Sequence, residues 1–185
     1  PKVDLRTDRV AGAETLVRWA TADGRILLPG KFIPLFEKNG FCEELDMYVF
    51  ENVCRQIRQW MDAGVEPMRV SINQTKTLFY RKGYVESLCA LVDRYGVDPR
   101  LITLEILEGL AMENMDELNA VIAALHAKGF EVSMDDFGTG YSSLNTLANL
   151  RIDELKLDKG FLKTLSEGAG WRLRVVMEQT LTMAR

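Results

Sequence analysis

The chain has 185 residues, 47% of them hydrophobic and 27% charged, with a net charge of −4. This is the composition of an ordinary globule with room for a substantial core. The acidic balance argues against nonspecific binding to duplex nucleic acid, which takes a basic surface. No apolar run reaches membrane-spanning length, and no signal-peptide pattern stands at the start.

The predicted elements begin with a hairpin-like start, KVDLR and VAGAETLVRW around TDR. The amphipathic run CEELDMYVFENVCRQIRQWMDAG follows, with Leu45, Val49, Val53, Ile57 and Trp60 at helical spacing and Gly64 as its stop. MRVSIN is a short strand, GYVESLCALVDRYG a helix ending at Gly96, and LITLEIL a β-branched strand. Asn114 with Glu117 forms a capping-box pattern opening the helix MDELNAVIAALHAKG, which Gly129 closes. FEVSM is then a strand, SSLNTLANL a short helix, DELKLD a strand and WRLRVVMEQTLTMAR a final helix. No linker or low-complexity segment interrupts this order, so residues 1–185 read as one domain.

Repeated strand–helix alternation implies an α/β fold, a parallel sheet covered by helices. A barrel and an open doubly wound sheet both satisfy the pattern. No GxGxxG or GxxxxGK[ST] follows any strand, so the nucleotide-binding open sheets lack support. A closed eightfold barrel takes roughly 250 residues; about six strands are legible here, so a barrel would be incomplete.

Cysteine and histidine usage narrows the chemistry. Cys42, Cys54 and Cys89 are widely spaced and form no CxxC pair, so they read as reduced thiols in a cytosolic setting. The one histidine, His126, falls near a helix end, where its role is structural or on the surface. A His-rich zinc site or a Ser-His-Asp triad cannot be built from it.

The most informative string is MDDFGTGYSS, residues 134–143, where two adjacent acids meet a glycine-interrupted turn. Adjacent carboxylates are costly unless a cation or a proton compensates them. They have company at the other strand ends: Glu14 in AETLVRW, Asn73 in VSINQ, Glu105 in TLEIL and Lys156 in ELKLD. Singly, each has a bland explanation, such as Glu14 or Glu105 paired to Arg18 or Lys156, or Asn73 forming a turn. Jointly, they recur at successive carboxyl ends, which gather on one face in parallel α/β folds and host active sites there. Carboxylate and amide oxygens suit hard divalent cations such as Mg²⁺ or Mn²⁺.

These residues carry a resemblance. AETLVRW with LPGKFIPLFEKNG, then VSINQ, LEILEG, MDDFGTGYSSL and LKLDKGF, resemble the EAL domains, a family of bacterial cyclic di-GMP phosphodiesterases, over essentially the whole chain. The resemblance implies a modified TIM (β/α)8-like barrel with an antiparallel first strand. It implies metal ligation by Glu14, Asn73, Glu105, Asp135 and Asp136, with two Mg²⁺ or Mn²⁺ ions. Lys156 matches the lysine beside the attacking water, so Lys156 and Glu14 take the catalytic roles. Arg18 matches a phosphate-contacting arginine, Leu16 a leucine near a guanine, and Glu108 a glutamate bracing the loop 137–143. Glycines 138 and 140 suit that loop to movement, though they could equally serve tight turns.

The implied activity is hydrolysis of cyclic di-GMP to linear pGpG in second-messenger signalling. The alternative is a non-catalytic cyclic di-GMP receptor acting through dimer or partner contacts. The implied setting is a cytoplasmic homodimer, fused or coupled to sensor or diguanylate-cyclase-like domains, in a parent protein that can be membrane-anchored. Lysine is ordinarily protonated at neutral pH, with a pKa of roughly 10.4, so Lys156 acts as a base only if its surroundings depress that value. The chain departs from the family in its Glu14-Thr15-Leu16 triplet, in LEILEG, and in ATADG where His-Pro is common. The resemblance also implies two further barrel strands and another glutamate ligand beyond Arg185, so the 185 residues alone are expected to hold an incomplete, inactive site.

Overall fold

A computed structural model of the chain describes residues 1–112, 114–138, 144–160, 175, 178 and 182. They fall into two compact units, Pro1–Leu104 with Lys128–Phe130, and Glu105–Ala127 with Glu131–Arg185.

The first unit opens with β1 (Lys2–Asp4) and β2 (Arg9–Thr15), paired antiparallel as the hairpin-like start predicts. Asp8 closes the turn in the left-handed region, φ 53°, where its N–H donates to the Asp4 carbonyl at 2.8 Å. β2 then runs parallel to β5 (Arg69–Asn73), in register Gly12↔Arg69 to Thr15↔Ile72. A Cβ at Gly12 would lie 2.8 Å from the Arg69 carbonyl oxygen, so the two strands approach this closely only because residue 12 is glycine. The strand order in this unit is β1-β2-β5-β6, where β6 (Ile102–Leu107) contributes its first three residues.

Between β2 and β5 stand a two-residue pair, β3 (Trp19–Ala20) with β4 (Ile26–Leu27), and the helices α1 (Pro29–Asn39) and α2 (Cys42–Asp62). The predicted α2 forms, but its buried face is Cys42, Asp46, Phe50, Val53, Cys54 and Ile57. The expected stripe through Leu45, Val49 and Trp60 is only half-buried. The buried face admits Asp46 because its Oδ2 accepts the Thr75 backbone N–H at 2.7 Å, which compensates part of the carboxyl's burial. After β5 come α3 (Lys76–Phe79) and α4 (Tyr84–Tyr95), the latter closed by Gly96 at φ 60°. Phe50, Ile72, Leu78, Leu88, Ile102 and Leu104 form the center of this unit's core, with Phe50 against Phe130 at 6.1 Å between ring centroids.

The second unit carries the rest of β6, a 3-10 turn (Glu108–Met112), α5 (Met115–Ala127), β7 (Glu131–Phe137), α6 (Leu144–Asn149) and β8 (Glu154–Leu157). Its strand order is β6-β7-β8, with β7 parallel to β8. The cap of α5 is half of the expected reciprocal pair. Asn114 Oδ1 accepts the Glu117 N–H at 3.2 Å, while Glu117 Oε2 accepts from the Asn114 side-chain amide rather than from its backbone. β7 does not stop at Met134 but continues through the aspartates to Phe137, with its register against β8 broken between Met134 and Phe137. His126 is half-exposed at the end of α5, its Nε2 2.8 Å from Asp153 Oδ2, in keeping with a structural role. Residues 139–143 of the expected loop, and the expected C-terminal helix apart from the helical Val175, Glu178 and Thr182, lie outside the described residues. No helix among the described residues is long and apolar enough to cross a membrane.

Candidate metal-binding site

In the first unit, parallel pairing brings two of the expected ligands together. Glu14 is the penultimate residue of β2 and Asn73 the last of β5. Asn73 Nδ2 donates to Glu14 Oε1 at 3.4 Å. Leu16 and Arg18 follow β2 directly and are exposed, Arg18 holding its own strand end through a 2.8 Å donation to the Val17 carbonyl.

In the second unit, Glu105 of β6, Asp135 of β7 and Lys156 of β8 meet. Lys156 Nζ donates to Glu105 Oε2 at 2.9 Å and to Asp135 Oδ2 at 2.7 Å. Carboxylate oxygens of Glu105 and Asp135 lie within 4.8 Å of each other. Glu105 is 1% exposed, so its charge is tolerated only with a cation at hand. The ammonium group is that cation here. Burial alone would lower the Lys156 pKa, but hydrogen bonds to Asp135 and Glu105 and their charge outweigh it and hold the value above that of an ordinary lysine.

Asp136 kinks the strand. Its φ of 58° is left-handed, unusual for a residue with a side chain, and its N–H donates to Asp135 Oδ1 at 2.8 Å. The kink coincides with the register shift against β8, at an exposed residue where successive side chains of a regular strand would face opposite sides. Partial burial, and then the charges of Asp135, Asp158 and Glu108, raise the Asp136 carboxyl pKa, with Lys156 partly opposing them. Buried Glu108 completes the cluster, its Oε2 accepting the Gly138 N–H at 3.2 Å, at the first glycine of the loop.

The donor set fits hard divalent cations. All the candidate ligands offer oxygen, two carboxylates already share a cation, and a third carboxyl in the same unit sits in excess negative charge. Sequence reasoning missed the buried polar neighbours of Asn73. These are Gln74, whose amide donates to the Asn73 carbonyl and accepts the Tyr84 hydroxyl, and Asp46, which accepts the Thr75 N–H one residue further on. One signal was available: Asp46 lies four residues from both Cys42 and Phe50, a carboxylate in register with an apolar stripe.

Comparison with known proteins gives the family. The EAL domain model matches residues 1–184, and the chain belongs to the EAL family. It is 36% identical over 166 residues to the bifunctional diguanylate cyclase/cyclic di-GMP phosphodiesterase MucR of Pseudomonas aeruginosa, covering 90% of this chain and 24% of that protein. It is 35% identical over 162 residues to the cyclic di-GMP phosphodiesterase NbdA of the same organism, covering 88% of this chain and 21% of the relative. The chain thus spans about a quarter of the length of these curated relatives. Among solved structures, the PaMucR phosphodiesterase in complex with c-di-GMP superimposes with a TM-score of 0.88 at 33% identity, covering 100% of this chain and 74% of that one. The expected fold class, an incomplete α/β modified TIM barrel with an antiparallel first strand, is that of the matched structure, and the described residues form a six-stranded sheet whose first strand is antiparallel.

Proposed function

We propose that this domain hydrolyses cyclic di-GMP to linear pGpG. Glu14, Asn73, Glu105, Asp135 and Asp136 hold two Mg²⁺ or Mn²⁺ ions, and Lys156 acts at the attacking water and the phosphate. The observation that carries this reading is Lys156 Nζ placed between Glu105 and Asp135, a cation seated among carboxylates that have no structural need to face one another. Divalent ions, when bound, supply Lewis acidity to the scissile phosphodiester and its water.

The chain's own residues have separable tasks. Buried Glu105 and half-buried Asp135, both bonded to Lys156, form an oxygen cradle. Asp136, next in the chain after Asp135 and at the left-handed kink, is the further carboxylate of the proposed ligand set. Lys156 is held protonated, so it orients water and stabilises phosphate charge rather than removing a proton. Arg18 and Leu16, exposed just past β2, take a substrate phosphate and a guanine. Glu108 braces the first turn of the loop through Gly138.

Retention of the ligand set and of Lys156 favours an enzyme over a receptor, because binding alone does not require them all. The test compares initial rates of pGpG formation by the full-length protein and its Glu14→Ala and Asp135→Ala variants in Mn²⁺. Loss of at least a thousandfold in both, roughly 4 kcal/mol of transition-state stabilisation, is expected. Rates near wild type would refute the assignment.

A further inference from the structure

We propose that Gln74, Tyr84 and Asp46 are positioning residues for Asn73, clamping the turn after β5 so that its exposed side chain is presented as a metal ligand. The inference rests on the assignment of Asn73 in the proposed function.

Asn73 is an exposed residue between two buried ones, Ile72 and Gln74. Among the described residues its side-chain amide makes a 3.4 Å donation to Glu14, longer than an ordinary hydrogen bond and too long to hold it firmly. The backbone around it is held tightly instead. Gln74 folds its side chain back so that Nε2 donates to the Asn73 carbonyl at 2.8 Å. Gln74 Oε1 in turn accepts the Tyr84 hydroxyl at 2.8 Å, entirely out of solvent. Each end of the amide has one compatible partner, so its orientation is fixed. Burial raises the Tyr84 phenol well above its usual pKa, keeping it a donor. One residue further on, Asp46 takes the Thr75 N–H at 2.7 Å.

Helices α2 and α4 therefore each send a buried polar side chain to the same turn, where Gln74 Nε2, Gln74 Oε1, the Tyr84 hydroxyl and the Thr75 N–H each have a partner. A buried polar network at this density is costly unless it is complete, and when complete it specifies one backbone geometry. A strand end needing only to turn into α3 could do so with apolar residues at 46, 74 and 84. The network acts at the residue immediately after a candidate ligand, where rigidity lowers the entropy lost on metal binding. Partners of this kind behind a ligand alter affinity by about ten- to a hundredfold.

The test measures Mn²⁺ dissociation constants by calorimetry, with melting temperatures, for the full-length protein and four variants. Tyr84→Phe removes only a hydroxyl and Gln74→Leu the amide. Asn73→Ala removes the ligand itself, and Tyr95→Phe breaks a different hydroxyl bond of α4, the 2.8 Å donation to Glu51 of α2. Roughly tenfold weaker Mn²⁺ binding is expected for Tyr84→Phe and Gln74→Leu, with Tyr95→Phe at the wild-type value whatever its melting temperature. If Gln74→Leu does not fold, the comparison of Tyr84→Phe with Tyr95→Phe decides. Weakening by Asn73→Ala alone, with Tyr84→Phe at the wild-type constant, overturns the positioning role and leaves the network structural. Wild-type affinity in Asn73→Ala, or no Mn²⁺ binding by the wild type, overturns the assignment of Asn73 and the positioning role with it.

Discussion

Lys156 donates a 2.7 Å hydrogen bond from Nζ to Asp135 Oδ2 across the parallel pair β7–β8, and the same nitrogen reaches buried Glu105. In the metal-free protein this lysine is the counter-ion that makes the carboxylates tolerable. Replacing it with methionine is expected to destabilise the metal-free protein by about 3 kcal/mol, the cost of leaving a buried charge without its partner. Saturating Mg²⁺ should restore most of that loss, because the cation replaces the missing charge. Urea denaturation of Lys156→Met with and without Mg²⁺ measures both quantities. Equal destabilisation in the two conditions would mean that the carboxylates do not bind the ion.

The same pair predicts a titration coupled to metal. The Lys156 pKa stands above the ordinary lysine value through Asp135 and Glu105. A divalent cation that engages those carboxylates removes the charge that raises it, so the pKa should fall when Mg²⁺ is added. NMR of ¹³Cε-labelled lysine follows this directly, with Lys156→Met assigning the signal. An unshifted Lys156 signal at saturating Mg²⁺ would separate the lysine from the metal site.

Asp46 gives the protein a pH-dependent stability of its own. Burial raises its carboxyl from 3.8 to about 6, against the lowering effect of the Thr75 hydrogen bonds. The folded state then holds a proton that the unfolded chain has already lost, so stability falls as pH rises from about 4 to about 6 and stays lower above that. The effect is on the order of 2–3 kcal/mol. Asp46→Asn keeps an acceptor for the Thr75 N–H and should lose this slope, which denaturation curves at a series of pH values will reveal. An unchanged slope in the variant would assign it to other groups.

Gly12 links the fold to the site. A Cβ there meets the Arg69 carbonyl oxygen at 2.8 Å, so Gly12→Ala must push β2 away from β5 two residues before Glu14. The expected cost is about 2 kcal/mol, within the range of overpacking. Weaker Mn²⁺ binding should accompany it, as Glu14 moves relative to Asn73. A melting temperature and a Mn²⁺ dissociation constant equal to those of wild type would show that the strand spacing has no bearing on the site.

Much of this was legible in the sequence because its signals are local. The β-branched runs of β5 and β6 and the periodicity of α4 and α5 each locate an element. The recurrence of acids at successive strand ends marked Glu14, Glu105 and Asp135 before any contact was known. Helix α1 escaped detection because Pro29, Gly30 and Pro34 read as breakers. It is stabilised instead by nonlocal aromatic packing of Trp19, Phe32 and Phe36, with ring centroids 5.5–5.7 Å apart. The burial of Asp46 and the fold-back of Gln74 depend on partners 29 and 10 residues away, Thr75 and Tyr84. No window along the chain contains such information. The left-handed kink at Asp136 was equally hidden, since aspartate is compatible with either backbone region.

The central claim, that the domain is a metal-dependent phosphodiesterase, meets its most direct test in product analysis. Full-length protein is incubated with cyclic di-GMP in Mn²⁺ or in EDTA, and the nucleotides are separated while binding is measured in parallel by calorimetry. The account predicts multiple-turnover formation of linear pGpG in Mn²⁺ and none in EDTA. Tight cyclic di-GMP binding with no metal-dependent product would contradict it and make the domain a receptor.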